Sequence, residues 1–218
     1  MTTVPVTIVD DHQLVGVALT AALRAHGIRT RYVDPTADPG LPAALDDDDP
    51  GLVVLDLDLG PGPDGASIDG VDLVPRVRAT GRDVLLLTGS RDRPRIAAAV
   101  AAGALGWLAK SLPFDEIVAT IAATARGEHR FDPGPRSALV AEHHAAAGAR
   151  RELDRRWSRL TPREREVLAR LVDGRRVADV AREFVVAEAT VRTQVRSILA
   201  KLEVRSQLEA VAVARTVG

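Results

Sequence analysis

The sequence has no cysteine, which excludes disulfides and thiolate metal sites. It has no apolar run long enough to span a bilayer. The longest weakly polar stretch, Ile96 to Ala109, is short and interrupted by glycine. No basic segment followed by a long apolar run opens the chain, so no signal peptide is expected. These absences describe a soluble, cytoplasmic protein. Lysine is nearly absent too. Of 29 Lys plus Arg, only Lys110 and Lys201 are lysine. A chain that otherwise chooses arginine, a rigid fork, has kept a compact ammonium at Lys110.

What is present divides in two. The 218 residues suit one large or two small domains. Residues 1–125 hold 10 Lys+Arg against 17 Asp+Glu, a charge of −7, and residues 126–218 hold 19 against 13, a charge of +6. An acidic front and a basic back suggest two domains, the second able to meet nucleic acid.

In the front half, short apolar runs alternate with helical patterns. Val4–Val9, Thr30–Val33, Leu52–Leu55, Asp83–Leu87 and Leu105–Ala109 read as strands. Between them, helices are predicted over 12–26, briefly around 41–45, over 71–80, over 93–102 and from Pro113 onward. The acidic run 46–49 reads as a solvated turn, and 60–70 as a loop. The pattern is that of an α/β domain, a five-stranded doubly wound parallel sheet. Strands of such a sheet deliver their ends to one edge, where open α/β folds place their chemistry. Asp10 and Asp11, Asp56, and Thr88 all stand at such ends. Crowded carboxylates raise one another's pKa unless a cation intervenes. Hard oxygen ligands suit Mg²⁺, leaving one carboxylate free to become an acyl phosphate. Lys110 supplies the positive charge that a phosphoryl group in flight requires.

Gly127 to Arg136 marks a boundary, and 137–159 reads as a linker helix interrupted at Gly148. From Leu160 every element is helical, giving an all-α four-helix unit. Thr161-Pro162-Arg163-Glu164 is a strong helix start, with Thr as cap, Pro in the first turn and Glu closing a capping box. Helices follow over 177–184, over 190–202 and from Ser206. On the third, Arg192, Thr193, Arg196 and Ser197 lie opposite the apolar face.

These residues resemble two known families. Residues 1–126 resemble the receiver domain of two-component response regulators, carried by Asp10-Asp11-His12, Asp56, Thr88 and Gly106-Trp107-Leu108-Ala109-Lys110. Residues 158–218 resemble the LuxR-type helix-turn-helix domain, carried by Leu160–Leu168, Thr190–Val195, Lys201-Leu202 and Val204-Arg205-Ser206. Residues 127–157 form the linker, partly helical. The whole resembles a NarL/FixJ-type response regulator, not an enzyme. The resemblance implies Asp56 as phosphoacceptor, fed by a sensor histidine kinase. It implies Mg²⁺ on Asp11, Asp56 and the main-chain carbonyl of Asp58, with Asp10 helping through water. Thr88 and Lys110 then read the phosphoryl oxygens, and Thr88 and Trp107 form the switch. It further implies a homodimer on an inverted-repeat DNA operator. Arg192, Thr193 and Arg196 are expected at bases, and Lys201, Arg205 and Ser206 at phosphates. The active dimer is expected through a face of the fourth and fifth helical segments and through the final helix.

The chain departs from the family pattern after Asp56. Leu59-Gly60 replaces a Met-Pro, and the equivalent Asp-Gly is Asp69-Gly70, some six residues late. Trp107 stands for a smaller aromatic, Ser111 for Pro or Asp, and Gln194 for His. The altered loop keeps a second reading open, a receiver that controls the DNA-binding half by ligand or dimerisation without phosphate. A haloacid-dehalogenase-type phosphatase ranks third. It needs an acidic pair after a later strand, and only Asp115-Glu116 follow Lys110.

Overall fold

The computed structural model of the chain describes residues 3–36, 51–62 and 65–217. The helix expected around 41–45 and the acidic turn at 46–49 lie outside them. The chain splits into two compact units, Met1–His144 and Ala145–Gly218.

In the first unit five parallel strands stand in the order β2-β1-β3-β6-β7. These are β1 (Val6–Val9), β2 (Thr30–Val33), β3 (Leu52–Leu55), β6 (Asp83–Thr88) and β7 (Gly106–Ala109). The unbroken apolar runs are explained by burial on both faces. Val53 and Leu55 pack with Val74 and Val77 of α2 (Gly70–Ala79) and with Ala97 and Val100 of α3 (Arg93–Ala101). Leu52 and Val54 pack on the other side, with Leu19 and Leu23 of α1 (Gln13–Ala25) and Ile117 and Ile121 of α4 (Phe114–Ala125). Each buried Val, Leu or Ile among them contributes about 1.5–3 kcal/mol. The register places Val9 beside Leu55, Leu55 beside Leu86 and Thr88 beside Ala109. The residues that follow therefore meet at one edge, at the point between β1 and β3 where the strand order reverses.

Part of the stretch 60–70, expected as a loop, instead belongs to a two-stranded antiparallel ribbon, β4 (Asp58–Pro61) with β5 (Ser67–Asp69). Glycine and proline hid the pattern. Gly60 takes φ +66° and Gly65 φ +79°, which suit residues without a Cβ. The ribbon closes through Gly65 N donating to Gly62 O (2.9 Å) and Gly62 N to Ala66 O (2.7 Å).

The helix α5 (Pro133–Ser158) contributes residues to both units. Gly148 does not interrupt it, contrary to expectation. Glycine inside a helix costs about 0.5–1 kcal/mol, and the alanines at 145–147 and 149 favour helix strongly enough to offset that. In the second unit α6 (Pro162–Val172), α7 (Val177–Glu183), α8 (Glu188–Leu202) and α9 (Gln207–Val217) enclose one core, built from Val167, Leu168, Leu171, Val180, Val191, Ile198 and Leu202. The capping box at Thr161 and Glu164 is present.

Candidate functional site

Asp10 follows β1 and Asp56 follows β3, and both are buried (2% and 3% exposed). The potential ligand atoms of Asp10, Asp11, His12 and Asp56 lie within 4.8 Å of one another. Asp56 Oδ1 accepts from Leu57 N (2.7 Å), and its Oδ2 accepts from Lys110 Nζ (2.6 Å). The same ammonium lies 2.7 Å from Asp10 Oδ2. Asp10 Oδ1 accepts from His12 N (2.8 Å), and His12 Nδ1 lies 2.7 Å from Asp11 Oδ1. Burial pushes Asp56 up from the ordinary carboxylate value and outweighs the pull of Lys110. Burial works against the Lys110 charge as well, but the hydrogen bonds it donates to Asp10 and Asp56 prevail and raise its pKa. Tyr32 Oη donates to Asp10 O (2.9 Å), and burial with Asp34, Asp10 and Asp11 pushes it up to about 12.

Three carboxylates thus lie together beside one ammonium, which contacts two of them, Asp10 and Asp56. The surplus is negative and made of hard oxygens close together, a donor set suited to Mg²⁺. Asp10, Asp11 and Asp56 could hold such an ion. His12 offers a nitrogen, poorly matched to it, and serves Asp11 instead.

Thr88 is buried at the end of β6, where its Oγ1 accepts from Ser90 N (3.0 Å). Lys110 N donates to Thr88 O (2.9 Å), which fixes the two chain ends side by side. Trp107, expected as the switch aromatic, is half-buried against the cluster that includes Leu86 and Leu139. The late Asp69-Gly70 returns to Asp56. Gly70 N donates to Leu57 O (3.0 Å), and a Cβ on Gly70 would stand 2.2 Å from Asp56 O. The ribbon absorbs the extra residues, and the glycine keeps a place beside Asp56 that only glycine fits. Asp58 begins that ribbon. Its N lies 3.4 Å from Asp56 Oδ1, and its carboxylate is bound by Arg95. Arg95 carries no local sequence signal, and sequence reasoning missed it.

In the second unit Arg192, Thr193 and Arg196 are exposed on α8. Arg192 pairs with Glu188 one turn earlier (3.2 Å), and Thr193 Oγ1 donates to Ala189 O (3.0 Å). Arg196 has no ion-pair partner among the described residues. Lys201 is differently placed. Its Nζ donates to both oxygens of Glu164 (2.9 and 2.7 Å), and Ser197 Oγ donates to Glu164 Oε1 (2.6 Å). Ser206 caps α9, accepting from Glu209 N (3.2 Å), while Arg205 N donates to Glu209 Oε2 (2.9 Å). The Arg205 side chain is exposed.

A doubly wound sheet whose edge gathers Asp10, Asp11, Asp56, Thr88 and Lys110, followed by a helix-turn-helix unit, defines a receiver joined to a DNA-binding domain. The chain belongs to the NarL/FixJ-type response regulators: residues 6–122 match the response regulator receiver domain family, and residues 158–214 the luxR family of bacterial regulatory proteins. It is 27% identical to the transcriptional regulatory protein DesR of Bacillus subtilis (strain 168), over 74% of this chain and 71% of that one. It is 28% identical to the nitrate/nitrite response regulator protein NarL of Escherichia coli (strain K12), over 74% and 72%. It is 29% identical to the transcriptional regulatory protein FixJ of Bradyrhizobium diazoefficiens, over 77% and 74%. A solved full-length FixJ structure from B. japonicum shares 26% identity at a TM-score of 0.46, covering 100% of this chain and 98% of that one. Among the described residues no helix is long and apolar enough to cross a membrane.

Proposed function

We propose that this regulator is switched by transfer of a phosphoryl group to Asp56, from a partner histidine kinase in the cytoplasm. Residues 1–126 receive the phosphoryl group, 127–157 link, and 158–218 bind DNA. The observation that carries the reading is the Lys110 ammonium, 2.6 Å from Asp56 Oδ2 and 2.7 Å from Asp10 Oδ2, in a pocket with surplus negative charge. A carboxylate oxygen of Asp56 attacks phosphorus. The donor's bond to phosphorus breaks, its electron pair leaves with the donor group, and an acyl phosphate remains. Lys110 stays beside the transferred oxygens, with Thr88 Oγ1 next to it at the same edge. Asp11, Asp56 and the main-chain carbonyl of Asp58 would hold the divalent ion, with Asp10 helping through water. When bound, that ion supplies charge that neutralises the phosphoryl oxygens. The position of Gly70 against Asp56 argues against a receiver that has abandoned phosphate. Asp115 and Glu116 lie in the first turn of α4, where a phosphatase's second acidic pair does not belong.

Helix α8 then enters the major groove of an inverted repeat, bound by a homodimer. The apolar final helix supports its use as a dimer contact, since Leu208 is 79% exposed. Lys201 is neutralised where it stands, so Arg205 is the better phosphate contact. With Mg²⁺ and a small phosphodonor, the protein should gain the mass of one phosphoryl group. Asp56→Asn should abolish the gain, and Asp11→Ala should cut it sharply. Unchanged labelling of the Asn variant sinks the assignment.

A further inference from the structure

Asp58 and Asp69 face each other as a registered pair across the β4–β5 ribbon. Like charges directly opposite are destabilising, and a two-stranded ribbon is marginal on its own. One guanidinium closes this ribbon. Arg95, in the first turn of α3, bonds the Asp58 carboxylate with one terminal nitrogen. The other donates to Asp69 Oδ1 (2.9 Å) and to the main-chain oxygen of Leu57 (2.9 Å). Arg95 N is itself tied to Asp92 Oδ1 (3.2 Å), the cap of the helix.

These acceptors belong to the residues that flank the acidic pocket. Leu57 and Asp58 follow Asp56 directly, and Asp69 precedes the glycine packed on Asp56. From these contacts we infer that Arg95 is a positioning residue for divalent-ion binding, holding the Leu57–Asp58 backbone in the shape the pocket uses. Three of its five side-chain N–H donors are engaged in this way. Three acceptors in different directions suit a planar fork and not a point charge. The inference rests on the reading of the Asp56 pocket as the phosphoryl and metal site.

The test is calorimetric titration of the full chain with Mg²⁺ alone, beside thermal unfolding. Removing a residue that orients a metal site typically lowers affinity by about 10–100-fold. Arg95→Ala should fall in that range while the protein stays folded, and Arg95→Lys should restore only part of the affinity. A purely structural arginine would lower the unfolding temperature and leave the affinity of the folded protein within about twofold. That result overturns the inference. Asp11→Ala separates it from the underlying reading. If Asp11→Ala binds Mg²⁺ like the wild type, the pocket is not the metal site and the inference falls with it. If Asp11→Ala loses binding while Arg95→Ala keeps it, only the role of Arg95 fails. Should Arg95→Ala not fold, Arg95→Gln in an Asp69→Asn background relieves the opposed carboxylates, and the same titration decides.

Discussion

The chain's two lysines both end on buried carboxylates, yet the surroundings differ in charge count. Lys201 faces one carboxylate, Glu164, whose oxygens are also satisfied by Ser197 Oγ and by Thr161 N (2.7 Å). The pair is balanced and closed. Lys110 faces Asp10 and Asp56, with Asp11 beside them, and cannot neutralise all three. A balanced buried pair fixes a fold. A surplus of one sign is a cost that folding alone does not explain, and it is the feature on which the proposed cation and phosphoryl site rests.

The balanced side should break hardest. Glu164→Ala strands Lys201 and removes half of a capping box. Loss of one partner of a buried pair costs about 3–5 kcal/mol, and Lys201 is 31% exposed, so the low end, about 3 kcal/mol, is expected. Differential scanning calorimetry should show the helical unit melting earlier. Burial works against the Glu164 charge, but Lys201, Ser197 and Thr161 hold its pKa down at about 2. Because the folded value is lowered, its stabilisation is fully present above the ordinary value of 4.5 and is lost as pH falls from there through about 2. Wild type and Glu164→Gln should converge in stability across that window. A constant gap down to pH 2.5 (roughly the floor of the window) would refute the ion-pair account.

On the surplus side the first break is steric. Gly70→Ala drives a Cβ to 2.2 Å from Asp56 O, and overpacking of this kind costs about 1–3 kcal/mol. Phosphoryl labelling should fall along with stability, because the backbone that shifts belongs to Asp56, the proposed acceptor. This glycine shows how much was legible beforehand. Strand ends, the convergence of Asp10, Asp56 and Lys110, and the odd placement of Asp69-Gly70 follow from apolar runs and motif order. The ribbon that absorbs the displacement was not legible, since Gly60, Pro61 and Gly65 break any period-two pattern. Arg95 and the Glu164–Lys201 pair were hidden for another reason. Their partners are 26 or more residues away in sequence, and only folding brings them together. The helix runs across Gly148 because the alanines around it favour helix strongly enough to outweigh one glycine.

The comparison also divides the DNA contacts. An arginine bidentate to guanine discriminates by about 1–3 kcal/mol, whereas a phosphate contact adds affinity without sequence preference. Arg192→Ala or Arg196→Ala should relax discrimination between operator and scrambled duplex. Arg205→Ala should weaken both alike and make the salt slope shallower by about one unit. Lys201→Ala should destabilise the unit, yet leave that slope unchanged at temperatures where the variant is folded. A shallower slope for Lys201→Ala would show that its ammonium leaves Glu164 for the backbone of DNA.

The smallest effect is the sharpest contrast. Asp56→Asn neutralises one buried carboxylate beside a lysine, as Glu164→Gln does, and the sign should reverse. Lys110 keeps Asp10 at 2.7 Å, so no cation is stranded. The Asn oxygen can still accept from Leu57 N, which meets Asp56 Oδ1 at 2.7 Å. What disappears is repulsion with Asp10 and the cost of burying a second charge, both of which raise Asp56 in the native protein. What is lost is one charge-assisted hydrogen bond to Lys110, a net contribution of about 1.5–3 kcal/mol. The two nearly cancel. Measured in chelator, so that no divalent ion intervenes, Asp56→Asn should unfold within about 1 kcal/mol of wild type, on the stabilising side. A loss as large as that of Glu164→Ala would mean that the Asp56 pocket is a balanced structural pair after all.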